Sequence, residues 1–481
     1  MAGQLAPPPT DLTGRDPAPW LGMGEVLRLA VPSVLNTVSF TLMQFVDGLM
    51  VSRVSKEALS AQMVGGITAF TALCFFIGLL SCVSTFASQN LGAGRKERAA
   101  RYGWQGLWLA CGAAAALALL IPAAPALFAL FGHEPLVTQL ETRYFQVLTT
   151  GAVFSLTATA LGSFFMGVHR PTVPLAAGVA GNACNLAAAY GLIFGKLGLP
   201  ELGLMGAAVA GILGAAVQAL IMLGFFVSGK YAREYEVRRQ WRPAWRAMRD
   251  LARIGAPAGG MFVADILMWT IFMGRIIGTF GTEALAGTAI LNRYWQLCFM
   301  PAIGVSTAVT AIVGKHCGAR QPRLAWRRAH AGLILVEAYM VTAGIVIWLA
   351  RDRLVAFFND PPDPAVQSIA TGAVIFILLC QAFDALNVIF IGALRGAGDT
   401  LWPGMVQTAL AYGLGLGASA LVAYEAPQWG MQGPWATASG YIVLLGLVMW
   451  GRFLGGKWRR ITVVEPAPVT VPVEPVSLPP A

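Results

Sequence analysis

The sequence predicts an all-α polytopic membrane protein with twelve transmembrane helices, arranged as two six-helix lobes. Three observations lead to this prediction. Hydrophobic residues make up 57% of the 481 residues and charged residues only 12%, whereas a soluble domain carries roughly a quarter charged residues. Twelve apolar runs follow one another, each near or above the ~20 residues that a spanning helix needs. The two halves of the chain also share short motifs at a nearly constant offset.

The apolar runs should be helices, because lipid offers no hydrogen-bond partner to a backbone group and a helix satisfies these groups internally. The runs cover residues 25–52, 57–89, 103–131, 139–168, 173–195, 202–228, 251–279, 284–314, 329–350, 366–394, 402–424 and 434–453.

Positive charge is concentrated in the loops that follow the even-numbered runs. These loops hold 22 of the 33 Lys and Arg residues, and the chain carries a net charge of +10. This distribution is typical of the cytoplasmic face of a membrane protein, so we expect a lipid bilayer and no nucleic acid as partner. The same rule places both termini in the cytoplasm.

The two halves repeat each other. Glu57-Ala58-Leu59 recurs as Glu283-Ala284-Leu285, and Gly92-Ala93 recurs as Gly318-Ala319, both 226 positions later. Since each repeat has an even number of helices, the two repeats should run parallel, related by an axis along the membrane normal. The predicted organisation is a polar segment 1–24, an N-lobe 25–228, a cytoplasmic linker 229–250, a C-lobe 251–453 and a cytoplasmic Pro-rich tail 454–481.

Two carboxylates lie at middle depth in the second half. Asp265 is about 14 residues, or roughly 21 Å of helix, from the cytoplasmic end of its run, and Asp384 about 10 residues, or roughly 15 Å. An acid at membrane depth costs about 2.5–3.5 kcal/mol on insertion scales. Facing one cavity, the pair can share a proton or hold Na⁺. The alternative is two unrelated acids, each satisfied by backbone or water.

Three further ionisable residues lie inside the runs. Arg293 is close in depth to Asp265, so it is either a counter-ion or a side chain that reaches the outer interface. Asp47 has a functional and a helix-capping interpretation, and Glu337 has no obvious partner. The seven cysteines show no metal-ligand spacing, so no cofactor is expected.

Several motifs together resemble one transporter family. They are Val31-Pro32, Phe45–Val51, Gln89–Gly94, Asn182–Asn185, Ile254–Pro257 and Leu394–Thr400. From about Leu27 to Phe453 the chain is similar to the multidrug and toxic compound extrusion (MATE) family, in its prokaryotic NorM-like branch.

This resemblance implies a V-shaped exporter with a central cavity between the lobes. Its members take up organic cations or amphipathic drugs and exchange them for inward H⁺ or Na⁺. It further implies a multi-pass protein of the bacterial inner membrane that is not an enzyme and needs no cofactor besides the coupling ion. We expect a monomer.

The resemblance also assigns site residues. The branch carries an acid on helix 7, eight residues after a proline, and another on helix 10, which match Asp265 after Pro257 and Asp384. The acid of helix 1 matches Asp47. The acid that the family often carries on helix 5 is replaced by Ala189.

The loss of that acid makes Asp265 and Asp384 the expected coupling-cation site, with Na⁺ or H⁺ as the ion. Four residues remain as accessory candidates: Asp47, Asn182, Asn185 and Arg293.

Two alternative functions have weaker support. A flippase for lipid-linked saccharides shares the two-lobe plan, but it usually lines its cavity with several Arg and Lys, and here only Arg293 and Arg275 are available. An integral membrane enzyme would need a clustered acidic, His or Ser/Lys site at the membrane face, and the sequence contains none.

Overall fold

The computed structural model describes residues 19–359, 363–461 and 463–464, and within these ranges every regular element is a helix. Most of the predicted N-terminal segment and nearly all of the Pro-rich tail beyond residue 464 lie outside the described residues. The helices form two consecutive groups, and between them residues 228–244 hold only short helices.

The first group spans the N-lobe. Its helices are α1 (Pro19–Ser52), α2 (Lys56–Ser81), α3 (Val83–Gly92), α4 (Lys96–Ala118), α5 (Ala124–Ala129), α6 (Pro135–Thr150), α7 (Ala152–Gly167), α8 (Thr172–Phe194) and α9 (Leu204–Val227), followed by the short α10 (Gly229–Glu234) of the linker. Helices α2 and α3 together make one pass. Helices α6 and α7 make another, which bends by 48° between them.

The second group spans the C-lobe. Its helices are α11 (Trp245–Ile271), α12 (Thr282–Gly318), α13 (Pro322–Phe358), α14 (Pro364–Ala397), α15 (Leu401–Leu410), α16 (Ser419–Glu425) and α17 (Gln432–Leu454). A π-helical segment, Phe272–Ile276, extends α11, and a longer one, Ala411–Ala418, joins α15 to α16. The C-lobe therefore also crosses six times.

Within the described residues, ten helices are long and apolar enough to cross a membrane, and the bent pair α6–α7 is an eleventh span. Helix α4 is the twelfth pass, although it is less apolar. Its polar residues have structural partners, because the Trp104 and Trp108 indole N–H groups donate to Val237 and Trp241 carbonyls of the linker, each at 2.9 Å. This confirms the twelve-helix prediction.

One predicted boundary is wrong. The apolar run 103–131 is not a single helix, because α4 ends at Ala118 and the short α5 begins at Ala124. Pro122 and Pro125 lie at this break. Proline lacks a backbone N–H and is tolerated in the first turn of a helix but not in its interior, which accounts for the interruption.

Reciprocal contacts between the lobes confirm the parallel repeat. Gly92 packs against the backbone carbonyl of Lys315, and its repeat equivalent Gly318 packs against that of Gln89. A side chain at either glycine would collide with backbone. When residue i contacts j and the equivalent of j contacts the equivalent of i, the two units are related by a two-fold axis.

The lobe interface is closed most firmly at the end that carries the basic loops, here called the basic end. The Gln89 side chain donates to the Gly396 carbonyl at 2.9 Å, and the Thr85 hydroxyl donates to the Arg395 carbonyl at 2.9 Å. The turn Arg395–Thr400 therefore lies against the opposite lobe. The N-lobe also contributes His169, whose Nε2 lies 3.2 Å from the Ala311 carbonyl oxygen of the C-lobe.

An ion-pair cluster also joins the lobes at the basic end. Glu25 of α1 contacts Arg328 Nε at 2.9 Å, Lys315 Nζ at 3.5 Å and His316 Nε2 at 3.6 Å. The cationic residues belong to α12 and α13 of the C-lobe. Because Arg328 and His316 are buried, the cluster is shielded from water and screened less by salt than an exposed pair.

Candidate functional site

Asp384 is buried at the centre of the C-lobe. It lies on α14, and only 4% of its surface is exposed. The Asn387 side-chain amide, one turn further along the same helix, donates to Asp384 Oδ1 at 3.3 Å. Residues three apart on a helix lie on the same face, which explains why this amide reaches the carboxylate.

Asp265 approaches the same region from α11. The Gln407 amide of α15 donates to Asp265 Oδ1 at 3.3 Å, and Gln407 is itself buried. The two carboxylates lie within range of a mutual electrostatic interaction, and Tyr441 of α17 lies within range of both. The structure therefore places the two predicted acids in one neighbourhood of the C-lobe, on different helices.

Several buried polar atoms around the acids have no hydrogen-bond partner among the described residues. They are Gln407 Oε1, Asn387 Oδ1, the Tyr441 hydroxyl and both polar atoms of the Gln381 amide. Buried polar atoms in native proteins nearly always have a partner. Two carboxylates with neighbouring oxygen donors suit a proton, ordered water or a hard cation such as Na⁺, because hard cations take oxygen ligands.

Both helices that meet at Asp265 and Gln407 change their winding just beyond this contact. The π-helical segment Phe272–Ile276 begins seven residues after Asp265, and the segment Ala411–Ala418 begins four residues after Gln407. Such segments occur often at functional sites and at kinks. The weakened backbone hydrogen bonding makes these the points where the two helices can bend.

The N-lobe holds a single acid in the equivalent region. Asp47 of α1 is 9% exposed and interacts with Asn185 of α8. Neither Asp47 Oδ1 nor the Asn185 amide forms a hydrogen bond of good geometry within the described ranges. The Asn182 amide donates to the Ser39 hydroxyl at 2.9 Å, while Ala189 is fully buried in an apolar cluster.

Arg293 lies away from the acids. Its guanidinium carbon sits 5.0 Å from the ring centre of Phe358, at the far end of α13, and the side chain is exposed. The neighbouring Tyr294 hydroxyl donates to the Leu354 carbonyl in the same region. This position favours the interpretation of Arg293 as a residue of the outer interface over that of a counter-ion.

Sequence reasoning missed three residues of the C-lobe site: Asn387, Gln407 and Tyr441. Gln407 had a detectable signal, because an amide within an apolar run is costly unless it finds a partner. Asn387 had a second signal, since it lies three residues after Asp384. Nothing in the sequence distinguished Tyr441 from an interfacial tyrosine.

Glu337 has one buried carboxylate oxygen without a partner among described residues.

Comparison with known proteins agrees with this architecture. The MatE family model matches residues 32–190 and 261–424, two blocks that begin at corresponding places in the two halves. Probable multidrug resistance protein NorM of Xanthomonas axonopodis pv. citri (strain 306) is 28% identical over 450 residues, covering 92% of this chain and 95% of that protein.

A protein of the same name from Thermotoga maritima is 28% identical over 446 residues, and the match covers 92% of this chain and 94% of the Thermotoga protein. A solved structure of a multidrug resistance MATE family transporter in the outward-facing conformation has a TM-score of 0.81 at 19% identity, covering 92% of this chain and 97% of that one. The structural likeness shows the fold, and the family match covers most of both lobes. The chain therefore belongs to the MatE family, whose members are multi-pass membrane transporters and not enzymes.

Proposed function

We propose that this protein is a secondary active multidrug efflux transporter that exports organic cations or amphipathic drugs by antiport with H⁺ or Na⁺. The observation that carries the proposal is the meeting of Asp265 and Asp384 inside the C-lobe. Asp384 is buried and Asp265 partly buried, and no Lys or Arg within the described ranges pairs with either, so the two acids are suited to binding a mobile cation. The names of the curated relatives, which are multidrug resistance proteins, support the class of substrate.

The coupling between drug export and ion entry follows from the negative charge of the two acids. Two ionised carboxylates at this distance repel each other and attract a cation. A proton or Na⁺ bound between them removes the attraction for a cationic drug, so the drug and the coupling ion compete. Gln407 and Asn387 hold the two carboxylates in place, and their unpartnered oxygens supply neutral ligands if the ion is Na⁺.

Alternation between the two faces requires that the lobe contacts at the basic end open. These contacts include the Glu25 cluster and the hydrogen bonds of the Arg395–Thr400 turn. The π-helical segments beyond Asp265 and Gln407 connect the acid site to the outer halves of their helices. We infer that the state of charge at the acid pair biases which face is open.

The arrangement in the membrane follows the basic loops. We propose that the N-lobe (25–228), the linker (229–250) and the C-lobe (251–453) form a monomer in a bacterial inner membrane, with the basic end and both termini in the cytoplasm. The distribution of Lys and Arg supports this orientation.

The test is transport by purified protein in liposomes, with a pH gradient or a Na⁺ gradient imposed separately and export of a cationic dye as the readout. We expect one of the two gradients to drive dye movement in wild type and not in Asp384→Asn. A matched control is Asp352→Asn, which changes an acid at the outer end of α13. Lipid headgroup translocation without dye movement would contradict the proposal in favour of a flippase.

A further inference from the structure

A second charged site lies at the basic end of the N-lobe, far from the acid pair. Arg170, in the turn between α7 and α8, and Lys230, Arg233 and Glu234 of α10 line a cavity of about 490 Å³. Its only lining acid, Glu234, is paired with Lys96 at 2.8 Å. The other three lining residues are cations with no ion-pair or hydrogen-bond partner in the described part of the chain.

The cavity is held open by a rigid framework. Four hydrogen bonds tie the linker backbone to α4, from Trp104, Trp108 and both ends of the Gln105 amide, at 2.9 to 3.2 Å. Tyr235 and Val237 of the linker are buried. These contacts fix the linker just after the cavity. Lys230 and Arg233 lie one turn apart on α10 and line the same cavity as Arg170, so their mutual repulsion costs free energy unless an anion is bound.

The C-lobe supplies an internal comparison. A second cavity follows α17, at the place in the C-lobe that corresponds to α10, and is lined by Trp402, Arg452 and Lys457 among others. There the guanidinium of Arg452 is paired with Asp399 at 2.9 Å and lies 4.6 Å from the Trp402 ring centre. In the N-lobe cavity Arg170 has a similar ring contact, 5.7 Å from the Tyr231 ring centre. The difference is the acid: one of the two lining cations of the C-lobe cavity is paired with a carboxylate, whereas within the described residues none of the three in the N-lobe cavity is.

The position of the N-lobe cavity indicates the kind of anion. Its residues follow the ends of the membrane-spanning helices α7 and α9, so we expect the cavity near the lipid headgroups of the basic face. Trp241 and Trp245 of the same linker region are exposed, and exposed tryptophans favour the interface between lipid and water. A basic cavity at this depth suits a phosphate group, and an anionic lipid is the most abundant carrier of one at a membrane surface.

We propose that the cavity formed by Arg170, Lys230 and Arg233 is a binding site for a phosphate group, supplied by an anionic phospholipid headgroup of the cytoplasmic leaflet. Arg170, Arg233 and Lys230 surround the phosphate oxygens, which share the single negative charge of the phosphodiester. Because the linker connects the two lobes, a bound headgroup anchors it to the membrane. This site does not depend on the transport function proposed above.

The test uses the full chain in nanodiscs that contain phosphatidylglycerol and phosphatidylcholine with the same acyl chains. The protein is released, and native mass spectrometry gives the ratio of the two lipids that stay bound. We expect wild type to retain phosphatidylglycerol preferentially. The double substitution Arg170→Gln with Arg233→Gln should reduce this preference about twenty-five-fold, since each of the two cations near an anionic surface contributes roughly a factor of five.

Arg239→Gln is the matched control, because Arg239 lies on the same linker, is exposed and is already paired with Glu236; it should leave the preference unchanged. Lys230→Gln, at an exposed position, provides a milder variant if the double substitution disturbs folding, and should reduce the preference less. An equal lipid ratio for wild type and both cavity variants would overturn the proposal.

A second arm distinguishes the two sources of phosphate. An excess of inorganic phosphate is added before release of the protein. If wild type keeps its bound phosphatidylglycerol, the phosphate group at the site is supplied by the lipid. If inorganic phosphate displaces phosphatidylglycerol from wild type alone, the lipid assignment is overturned in favour of free phosphate at the same cations. Measured dye export by the same variants shows separately whether transport is affected.

Discussion

The two lobes share one architecture but differ in where they carry charge. The C-lobe brings together two acids, Asp265 and Asp384, with Gln407 and Asn387 beside them. In the N-lobe the acid of α1, Asp47, lies next to the neutral Asn185 and not next to a second acid within the described residues. A single carboxylate can bind a proton, but an ion that must be stripped of water needs several ligands. A repeated fold has therefore been specialised by a few side chains.

The lobes also differ at their interface. Glu25 of α1 forms the ion-pair cluster with α12 and α13, whereas the repeat equivalent of Glu25 is Leu251, which is fully buried in an apolar cluster. In the N-lobe the turn between α7 and α8 contributes His169 to the interface. In the C-lobe the equivalent place, at the end of α14, contributes the Arg395 carbonyl. The Glu25 ion-pair cluster thus has no counterpart on the other side of the pseudo-two-fold axis within the described residues.

The largest expected effect is at Asp384. Replacement by Asn keeps the shape and removes the charge, so ion-driven efflux should fall at least about tenfold, as expected when a coupling free energy of more than ~1.4 kcal/mol is lost. The measurement is dye export from liposomes at matched protein abundance. Wild-type efflux by this variant would remove the C-lobe from the coupling mechanism.

The second effect compares the lobes directly. Asp265→Ala should reduce ion-driven efflux about tenfold, and Asp47→Ala less than about threefold, because only the first removes half of an acid pair. The same assay applies, with purified protein of each variant. Equal losses in the two variants would show that the N-lobe takes part in coupling despite Ala189.

The third effect concerns closure of the basic end. Glu25→Gln removes the anion that Arg328 and Lys315 of the C-lobe share, so the closed state should lose about 1 kcal/mol, or roughly fivefold in population, after allowance for partial exposure. Distances between spin labels on the two lobes at the basic end measure this population. Glu236→Gln, in an exposed pair on the linker, is the control and should leave the distances unchanged.

The smallest effect is the pH dependence of the same closure. Burial, together with nearby Lys315, lowers the pKa of His169 from 6.5 to about 4, while its hydrogen bond to Ala311 and the charge of Glu25 oppose this change. The closed state therefore binds fewer protons. Its stability is fully present above pH 6.5 and is lost as the pH falls toward 4.

Between pH 7.5 and pH 6 the closed population should fall by about fourfold at most, if His169 regains its ordinary pKa when the lobes separate. Spin-label distances across this pH range provide the measurement. His169→Gln keeps a hydrogen-bond donor without a titrating ring, so the part of the pH dependence due to His169 should disappear. A slope unchanged by this substitution would show that His169 is not the source of the pH dependence.

The sequence by itself determined the fold class, because membrane helices are local structures. Backbone groups in lipid must be satisfied within the segment, so length and apolarity alone located the passes, and repeated motifs such as Gly92 and Gly318 disclosed the two lobes. The acids could be found in the same way, since Asp265 and Asp384 are conspicuous in apolar runs. Pro122 was a local signal for a helix break, but the apolarity of the run 103–131 led to the prediction of one continuous helix.

Only the tertiary structure decided which side chains meet. The contacts of Gln407 with Asp265 and of Glu25 with Arg328 join residues that are 142 and 303 positions apart, and no pattern along the chain fixes the rotation of one helix against another. For the same reason the sequence could not show that Arg293 lies away from the acid pair, although its predicted depth is similar to that of Asp265. Depth follows from counting residues, but proximity depends on how the helices pack.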